Sequence, residues 1–217
     1  MRPLTLRYRD LYNIEDNFFH IPGCGAVGSN TAENLARMGG LKFALYDMDE
    51  VGAENIGVSA YLPQHVGQKK VAALAEIILS IEPKAEVEVF SEPFSAEQFV
   101  PRGGDCILLS FDSMAARKEV AEAVCNFSVP LFVDSRMGAE TLQMYSFVAP
   151  TIQDYMKHWY SDDNADEEPC TRKATSYCAS IAGGMAASMV RKAVQQQPMA
   201  ESVVMDLTTF ASNPEYK

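Results

Sequence analysis

The stretch FFHIPGCGAVGSNTAENLARMGG, residues 18–40, decides the fold. It opens on apolar residues with strand propensity. Gly23, Gly25 and Gly28 follow as G-x-G-x-x-G, and SNTAENLARMG has helical spacing through Ala32, Leu35, Ala36 and Met38 before Gly39–Gly40. Such glycines let a backbone turn tightly and come close to phosphate, and the next helix offers its free N–H groups and positive dipole end. Asp47 closes a second predicted strand, LKFALYD, at about the twenty-residue spacing of a ribose-binding acid. Asp49 is an alternative, because strand ends are legible only to a couple of residues. Strand, turn, helix and acid together predict an adenine-nucleotide site over an empty glycine turn. The loop alone serves a dinucleotide or a nucleoside triphosphate.

Outward from this unit, GQKKVAALAEIILSIEP reads as an amphipathic helix stopped by Pro83, and AEVEVF alternates as a third strand. DCILLS and PLFVDS are short apolar runs, expected as buried parallel strands on either side of the helix SMAARKEVAEAVCNF. TLQMYSFV alternates and is expected antiparallel. TSYCASIAGGMAASMVRKAVQQQ is a long helix whose Gly183 and Gly184 permit close packing on the sheet or a second subunit, and SVVMDLTTF is a final strand. Alternating strands and helices predict an α/β, Rossmann-like, mostly parallel sheet with helices on both faces and antiparallel strands at the C-terminal side. We expect one domain over residues 1–217, with residues 1–16 as an N-terminal arm and 160–174 as a polar crossover loop. That loop, YSDDNADEEPCTRKA, crowds acids before Cys170.

With 217 residues the chain is long enough for a substantial core, and 47% apolar with 22% charged residues is ordinary for a globular protein. A net charge of −11 repels phosphate backbones and argues against nucleic-acid binding. No apolar run reaches membrane-spanning length, and MRPLTLRYRDLYN lacks a secretory h-region, so a cytoplasmic protein is expected. The arm is basic and aromatic, suited to a partner or ligand. Five cysteines, an odd number without a C-x-x-C, favour reduced thiols over a disulfide framework or structural zinc. Cys106, Cys125 and Cys178 read as packed residues. His20, His65 and His158 are given no role; His20 is expected in the core and His158 in a cluster with Trp159.

Two features separate activation from redox chemistry. Lys69 and Lys70 stand at a predicted helix start, where a cation is unfavourable unless something negative sits there. A triphosphate would supply that charge; a solvated surface pair is the alternative. Asp112 follows a buried strand at the edge where open α/β sheets bind ligands, and a carboxylate there can hold magnesium against phosphate. It could equally cap the next helix, unless Ser113 does.

The glycine loop, then DMDEVGAENIGVSAYLPQHVGQKKVAALAEIILSIEP, then FDSMAARKEVAEAVCNFSVPLFVDS resembles the ubiquitin-activating-enzyme-like superfamily of the ThiF/MoeB/HesA type. The resemblance covers roughly residues 17–195, and D-x-D-x-V-x-x-x-N followed by a G-x-x-K helix is its specific part. It implies an adenylyltransferase that binds ATP and Mg²⁺ and adenylates the C-terminal carboxylate of a ubiquitin-like or sulfur-carrier protein ending in Gly-Gly, or of a peptide. Under it, Gly23, Gly25 and Gly28 line the nucleotide and Asp47, with Asp49 close by, takes the ribose. Asn55 reaches the phosphate region, Lys70 is the phosphate lysine and Asp112 the magnesium ligand. Cys170 falls at the family's reactive cysteine, and a homodimer is implied.

One departure stands out. The family's N-x-x-R-Q is here Asn55-Ile56-Gly57-Val58-Ser59, without the phosphate-binding arginine. Losing a guanidinium from a charged site costs on the order of several kcal/mol of transition-state stabilisation. Either Arg2, Arg7, Arg9 or Arg136 substitutes, or activity is weak or absent. Three classes therefore stand: an adenylating enzyme, a non-catalytic nucleotide-binding or scaffold protein of the same fold, and an NAD(P)-dependent oxidoreductase, which Lys70 and Asp112 disfavour.

Overall fold

In a computed structural model, which describes residues 6–8, 10–161 and 174–216, eight strands form one sheet in the order β3-β2-β1-β4-β5-β6-β7-β8. The elements in chain order are β1 (Phe18–Pro22), α1 (Ala26–Arg37), β2 (Lys42–Tyr46), α2 (Lys70–Ile81), β3 (Glu86–Phe90), β4 (Asp105–Leu109), α3 (Met114–Val124), β5 (Leu131–Gly138), β6 (Thr141–Phe147), α4 (Ile152–Met156), α5 (Ser176–Val194), β7 (Ser202–Asp206) and β8 (Ala211–Glu215). Strands β1 to β5 run parallel, and β5 to β8 pair antiparallel.

Side-chain alternation sorts the core into two layers. Cys106 and Leu108 of β4, with Leu131 and Val133 of β5, join the α1, α2 and α5 residues Leu35, Leu74 and Val190 on one face. Ile107, Leu109 and Phe132 join Val120 and Val124 of α3 and Tyr155 of α4 on the other. Both sides being covered explains why β1 and β4 are buried at every position. The sheet's rims read differently: β3 is mostly exposed and β8 exposed throughout.

Gly183 lets α5 lie directly on α1, since a Cβ there would stand 2.7 Å from the Asn30 Cβ. Gly183 therefore serves packing within the chain, whereas a Cβ on Gly184 would meet nothing within 4 Å. Strand β5 outruns its neighbour: β4 stops at Leu109, opposite Asp134, while β5 continues through Ser135–Gly138 and raises a wall beyond the parallel strands.

Three boundaries differ from the sequence reading. Helix α1 begins at Ala26, inside the glycine motif. The last predicted strand ends at Asp206; the chain turns at Phe210, which has φ 56°, and returns as β8. Helix α4, unread in the sequence, is one short stretch capped by Thr151, whose hydroxyl accepts from the Asp154 N–H. Part of the arm also has a place. Tyr8 stacks on Tyr12 at 5.0 Å and its hydroxyl donates to the Arg37 carbonyl, while the Leu11 carbonyl accepts from Gln195.

Candidate nucleotide site

The three glycines do three different things. Gly23 has φ +96°, and a Cβ on it would meet the Phe111 nitrogen at 2.7 Å. A Cβ on Gly28 would strike the Gly23 carbonyl at 1.8 Å, so α1 packs against the turn only because that side chain is absent. Around Gly25 a Cβ would find nothing within 4 Å. It is also the N-cap of α1 and supplies no side-chain cap, so the helix start faces open space with its N–H groups unclaimed by a cap. That is the cradle a phosphate needs.

Asp47 is buried beside this turn. Its Oδ2 accepts from the Cys24 N–H at 2.8 Å and its Oδ1 from the Asp49 N–H at 3.0 Å. Burial raises its pKa, against those hydrogen bonds and Lys70, yet each oxygen keeps a lone pair for a ribose hydroxyl. Lys70, the first residue of α2, donates to Asp49 Oδ2 at 2.7 Å and stands 3.9 Å from Asp47 Oδ1. Burial opposes its charge, but the Asp49 hydrogen bond and Asp47 outweigh that and raise its pKa, so it is an ammonium at neutral pH. Lys69 pairs with Glu50 at 3.4 Å and donates to the Met48 carbonyl. Acids of the chain itself thus answer the cost of two lysines at a helix start. Asp49 serves here as the partner of Lys70.

Asn55 lies on a 3-10 turn, Ala53–Gly57, where its Oδ1 accepts from the Gly52 N–H at 2.8 Å and shapes the loop. Ser110 continues β4 and its hydroxyl donates to the Gly23 carbonyl at 2.7 Å, joining the β4 edge to the glycine turn. Asp112 comes two residues later, exposed, and no hydrogen bond or ion pair joins its carboxylate to the described residues. Ser113 is the cap of α3, accepting from Ala116, which leaves the Asp112 carboxylate available. Gly23, Gly25, Asp47, Lys70 and Asp112 therefore stand at one edge of the sheet, around the ends of β1, β2 and β4. Cys170, like Arg2 and Arg9, lies outside the described residues.

Among the described residues no group of three or more histidine, cysteine or acidic side chains is placed to hold a metal. Magnesium is usually bound through one or two carboxylates, with substrate phosphates completing its shell. Open space at Gly25, an uncapped helix start, a buried acid and a lysine fit an adenine nucleotide, and Asp112 fits its cation.

The three histidines, given no role in the sequence reading, have structural partners. His20 is buried between the Tyr46 hydroxyl at 2.9 Å and Asp105 at 3.2 Å. His65 accepts from the Leu62 N–H, and His158 pairs with Glu201 at 3.1 Å and packs on Tyr145. Cys24, Cys106, Cys125 and Cys178 are free thiols. Burial, then nearby Asp47, pushes the Cys24 thiol up, so it is inert despite its place in the loop. Arg7 adjoins Tyr8, at the end of α1 away from the glycine turn.

Arg136 is likewise committed. It and Arg117 converge on Asp134, which is fully buried and also accepts from the Tyr155 hydroxyl at 3.1 Å. Arg136 further donates to the His158 carbonyl and lies 4.4 Å from the Tyr145 ring. Arg117 sits in the first turn of α3, and the Trp159 indole donates to the Met114 carbonyl, so this cluster braces the helix start next to Asp112. Sequence reading passed over it because Asp134 and Arg117 are single polar residues in strand and helix patterns; a carboxylate inside the apolar run PLFVDS was the available signal. Tyr61 was missed too: its buried hydroxyl reaches the Cys24 and Lys70 carbonyls.

Over 132 residues the chain is 33% identical to ubiquitin-like modifier-activating enzyme 5 of Drosophila simulans, covering 54% of this chain and 32% of that one. Over 140 residues it is 30% identical to the tRNA threonylcarbamoyladenosine dehydratase of Bacillus subtilis, covering 63% of this chain and 54% of that one. The chain thus spans about a third and about half of the lengths of these relatives. Its fold matches Escherichia coli MccB, solved with MccA-N7isoASN, at a TM-score of 0.77 and 14% identity over 94% of this chain and 65% of that one. It matches E. coli TcdA, solved with AMP, at 0.69 and 21% over 89% and 93%. The ThiF family model matches residues 4–214, nearly the whole chain, and the chain therefore belongs to the ThiF family, within the ThiF/MoeB/HesA-like adenylyltransferase superfamily.

Proposed function

We propose that this chain is an ATP-dependent adenylyltransferase, one adenylation domain over residues 1–217, that activates the C-terminal carboxylate of a ubiquitin-like or sulfur-carrier protein, or of a peptide. The observation that carries the reading is the gathering of Gly25, Asp47, Lys70 and Asp112 around one open edge of the sheet. Solved relatives of this fold include MccB with ATP and TcdA with AMP, which agrees with a nucleotide there. A soluble cytoplasmic setting goes with it, and among the described residues no helix is long and apolar enough to cross a membrane.

In this reading the α1 N–H groups and the open side of Gly25 receive phosphate. Asp47 accepts the ribose hydroxyls, with Asp49 as the reserve acid and partner of Lys70, and Asn55 holds the loop beside them. The Lys70 ammonium, released from Asp49, offsets charge on the phosphates and the departing pyrophosphate. Magnesium held by Asp112 would share that neutralisation when bound. The incoming carboxylate is ionised at pH 7 and needs no general base, so it attacks the α-phosphorus and forms an acyl-adenylate. That agrees with the structural duties of all three histidines. Cys170 is proposed to attack the acyl-adenylate as a thiolate, forming a thioester as the acyl–phosphate bond breaks and AMP leaves. A hydroxylamine-sensitive adduct on Cys170 is the expected sign, and its absence in active enzyme would remove Cys170 from the reaction.

Val58, in place of the family's arginine, favours a second reading, a nucleotide-binding member without catalysis. With Arg136 and Arg7 placed elsewhere in the chain, the arginine is proposed to come from the arm of a second copy, in a homodimer. A monomeric form that binds ATP as tightly as the dimer contradicts this. The net charge of −11 opposes a tRNA substrate such as the one in the dehydratase's name. Pyrophosphate exchange into ATP, with and without a carrier ending in Gly-Gly, separates the readings. Carrier-dependent exchange supports the enzyme; ATP binding without exchange in any oligomeric state supports the second reading.

A further inference from the structure

We propose that Tyr61 is a positioning residue of the nucleotide site: its hydroxyl fixes the glycine turn to the first turn of α2 and so sets where the Lys70 ammonium stands relative to the loop. This rests on the adenylation reading only for its consequence; the link itself is a property of the chain without nucleotide.

The geometry of one peptide unit carries it. Cys24 lies between the first two glycines of the motif. Its N–H donates to Asp47 at 2.8 Å, and its carbonyl accepts from the Tyr61 hydroxyl at 2.5 Å. The same hydroxyl stands 3.2 Å from the carbonyl of Lys70. One hydroxyl proton is shared between two carbonyls, the nearer taking most of it. The Cys24 carbonyl precedes α1 and has no helical N–H to satisfy it, because the first helical bond runs from Ser29 to the Gly25 carbonyl. Without the tyrosine oxygen it would be a buried, unpaired acceptor.

Tyr61 is itself fixed. It is 2% exposed, its ring meets His65 edge-on at 6.2 Å, and the preceding Ala60 N–H donates to Ser29 Oγ on α1. Burial pushes the pKa of the phenol up, so it stays protonated and remains a donor at neutral pH. The loop from β2 to α2 is thereby tied to α1 at Ala60 and to the glycine turn at Tyr61, two successive residues. Across this tie stand the two groups that must address the same phosphates, the α1 N–H groups and Lys70. A lysine reaches its target through a flexible stem, so placing its backbone precedes placing its charge.

The test uses the full chain and Tyr61→Phe, which keeps the ring and removes one oxygen. In the nucleotide-free protein, hydrogen exchange at the amides of residues 24–29 and 70–74 is expected to quicken together by about tenfold, while α3 and β6 keep their wild-type protection. Unchanged exchange at these amides, or a uniform rise over the whole chain, overturns the proposal. ATP affinity is then read in a double-mutant cycle with Lys70→Met. Tyr61→Phe alone is expected to weaken binding about tenfold, and the double variant to bind no worse than Lys70→Met alone. Additive losses would show that Tyr61 acts apart from the lysine. A wild-type chain that binds no ATP, with the coupled exchange still present, would refute the nucleotide reading and leave the link standing.

Discussion

Replacing each motif glycine by alanine should separate the fold of this loop from its function, because the three positions differ in what a methyl meets. At Gly28 the new carbon would overlap a backbone oxygen at 1.8 Å and Ser110 Oγ at 2.6 Å. Neither the turn nor α1 can yield without moving the other. Overpacking of this kind costs about 1–3 kcal/mol or more. In a chain of this size each kcal/mol lowers Tm by about 2–4 °C, so Gly28→Ala should melt roughly 2–12 °C below wild type. Gly23→Ala combines φ +96° with backbone contacts at 2.7 Å and should fall at least as far. Gly25 has φ −75° and an open surround, so its alanine is tolerated, costing about 1 kcal/mol or less for the poorer N-cap. Its methyl nevertheless stands where a phosphate would approach. Losing one or two charge-assisted hydrogen bonds should weaken ATP roughly 10- to 100-fold. Thermal melts paired with equilibrium ATP binding read both effects. A Gly25→Ala protein that melts near wild type and binds ATP with wild-type affinity would refute the assignment of this loop.

Three other outcomes follow from the same geometry. Asp134→Asn should destabilise strongly, by about 3–5 kcal/mol in denaturant melts, since it strands two buried guanidinium groups; Arg136→Gln, which leaves the Arg117 pair in place, should cost clearly less. Burial holds His20 below its ordinary value of 6.5 despite Asp105, so the unfolded chain binds the extra proton. The resulting stability is present above pH 6.5 and is lost as pH falls toward the folded value, with a slope of up to about 1.4 kcal/mol per unit from this residue; a folded His20→Gln variant should lack that component in melts between pH 7 and 5. Burial also raises Asp47, and the proposed ribose contact would require its ionised form. Nucleotide affinity measured against pH should therefore begin to fall above the usual aspartate range, and Asp47→Asn should abolish that dependence.

The parts of this fold governed by local rules were readable in the chain. The apolar runs of β4 and β5, the glycine motif and the carboxylate ending β2 each follow from residues adjacent in sequence, and Ser113 as the cap of α3 was one of two local options. What escaped depends on distant pairings. β8 carries Pro214 and is exposed at every position, so neither alternation nor burial marks it; it exists because β7 presents an edge. The role of Asp49 emerges only when β2 and α2 bring it to Lys70, twenty-one residues away. Asp134 and its two arginines come from β5 and α3, and Tyr61 reaches Cys24 across thirty-seven residues. In each case a polar residue's partner lies on another element, where sequence spacing carries no signal.

Calorimetric titration of ATP, with magnesium in excess and with chelator, tests the central claim most directly when run on wild type, Lys70→Met and Asp112→Ala. Wild type should bind in both conditions and more tightly with the metal. Lys70→Met should be weakened in both, and Asp112→Ala should bind as wild type does in chelator but gain nothing from magnesium. An Asp112→Ala protein with the full magnesium enhancement, or a Lys70→Met protein with undiminished affinity, would contradict a triphosphate held between these two residues.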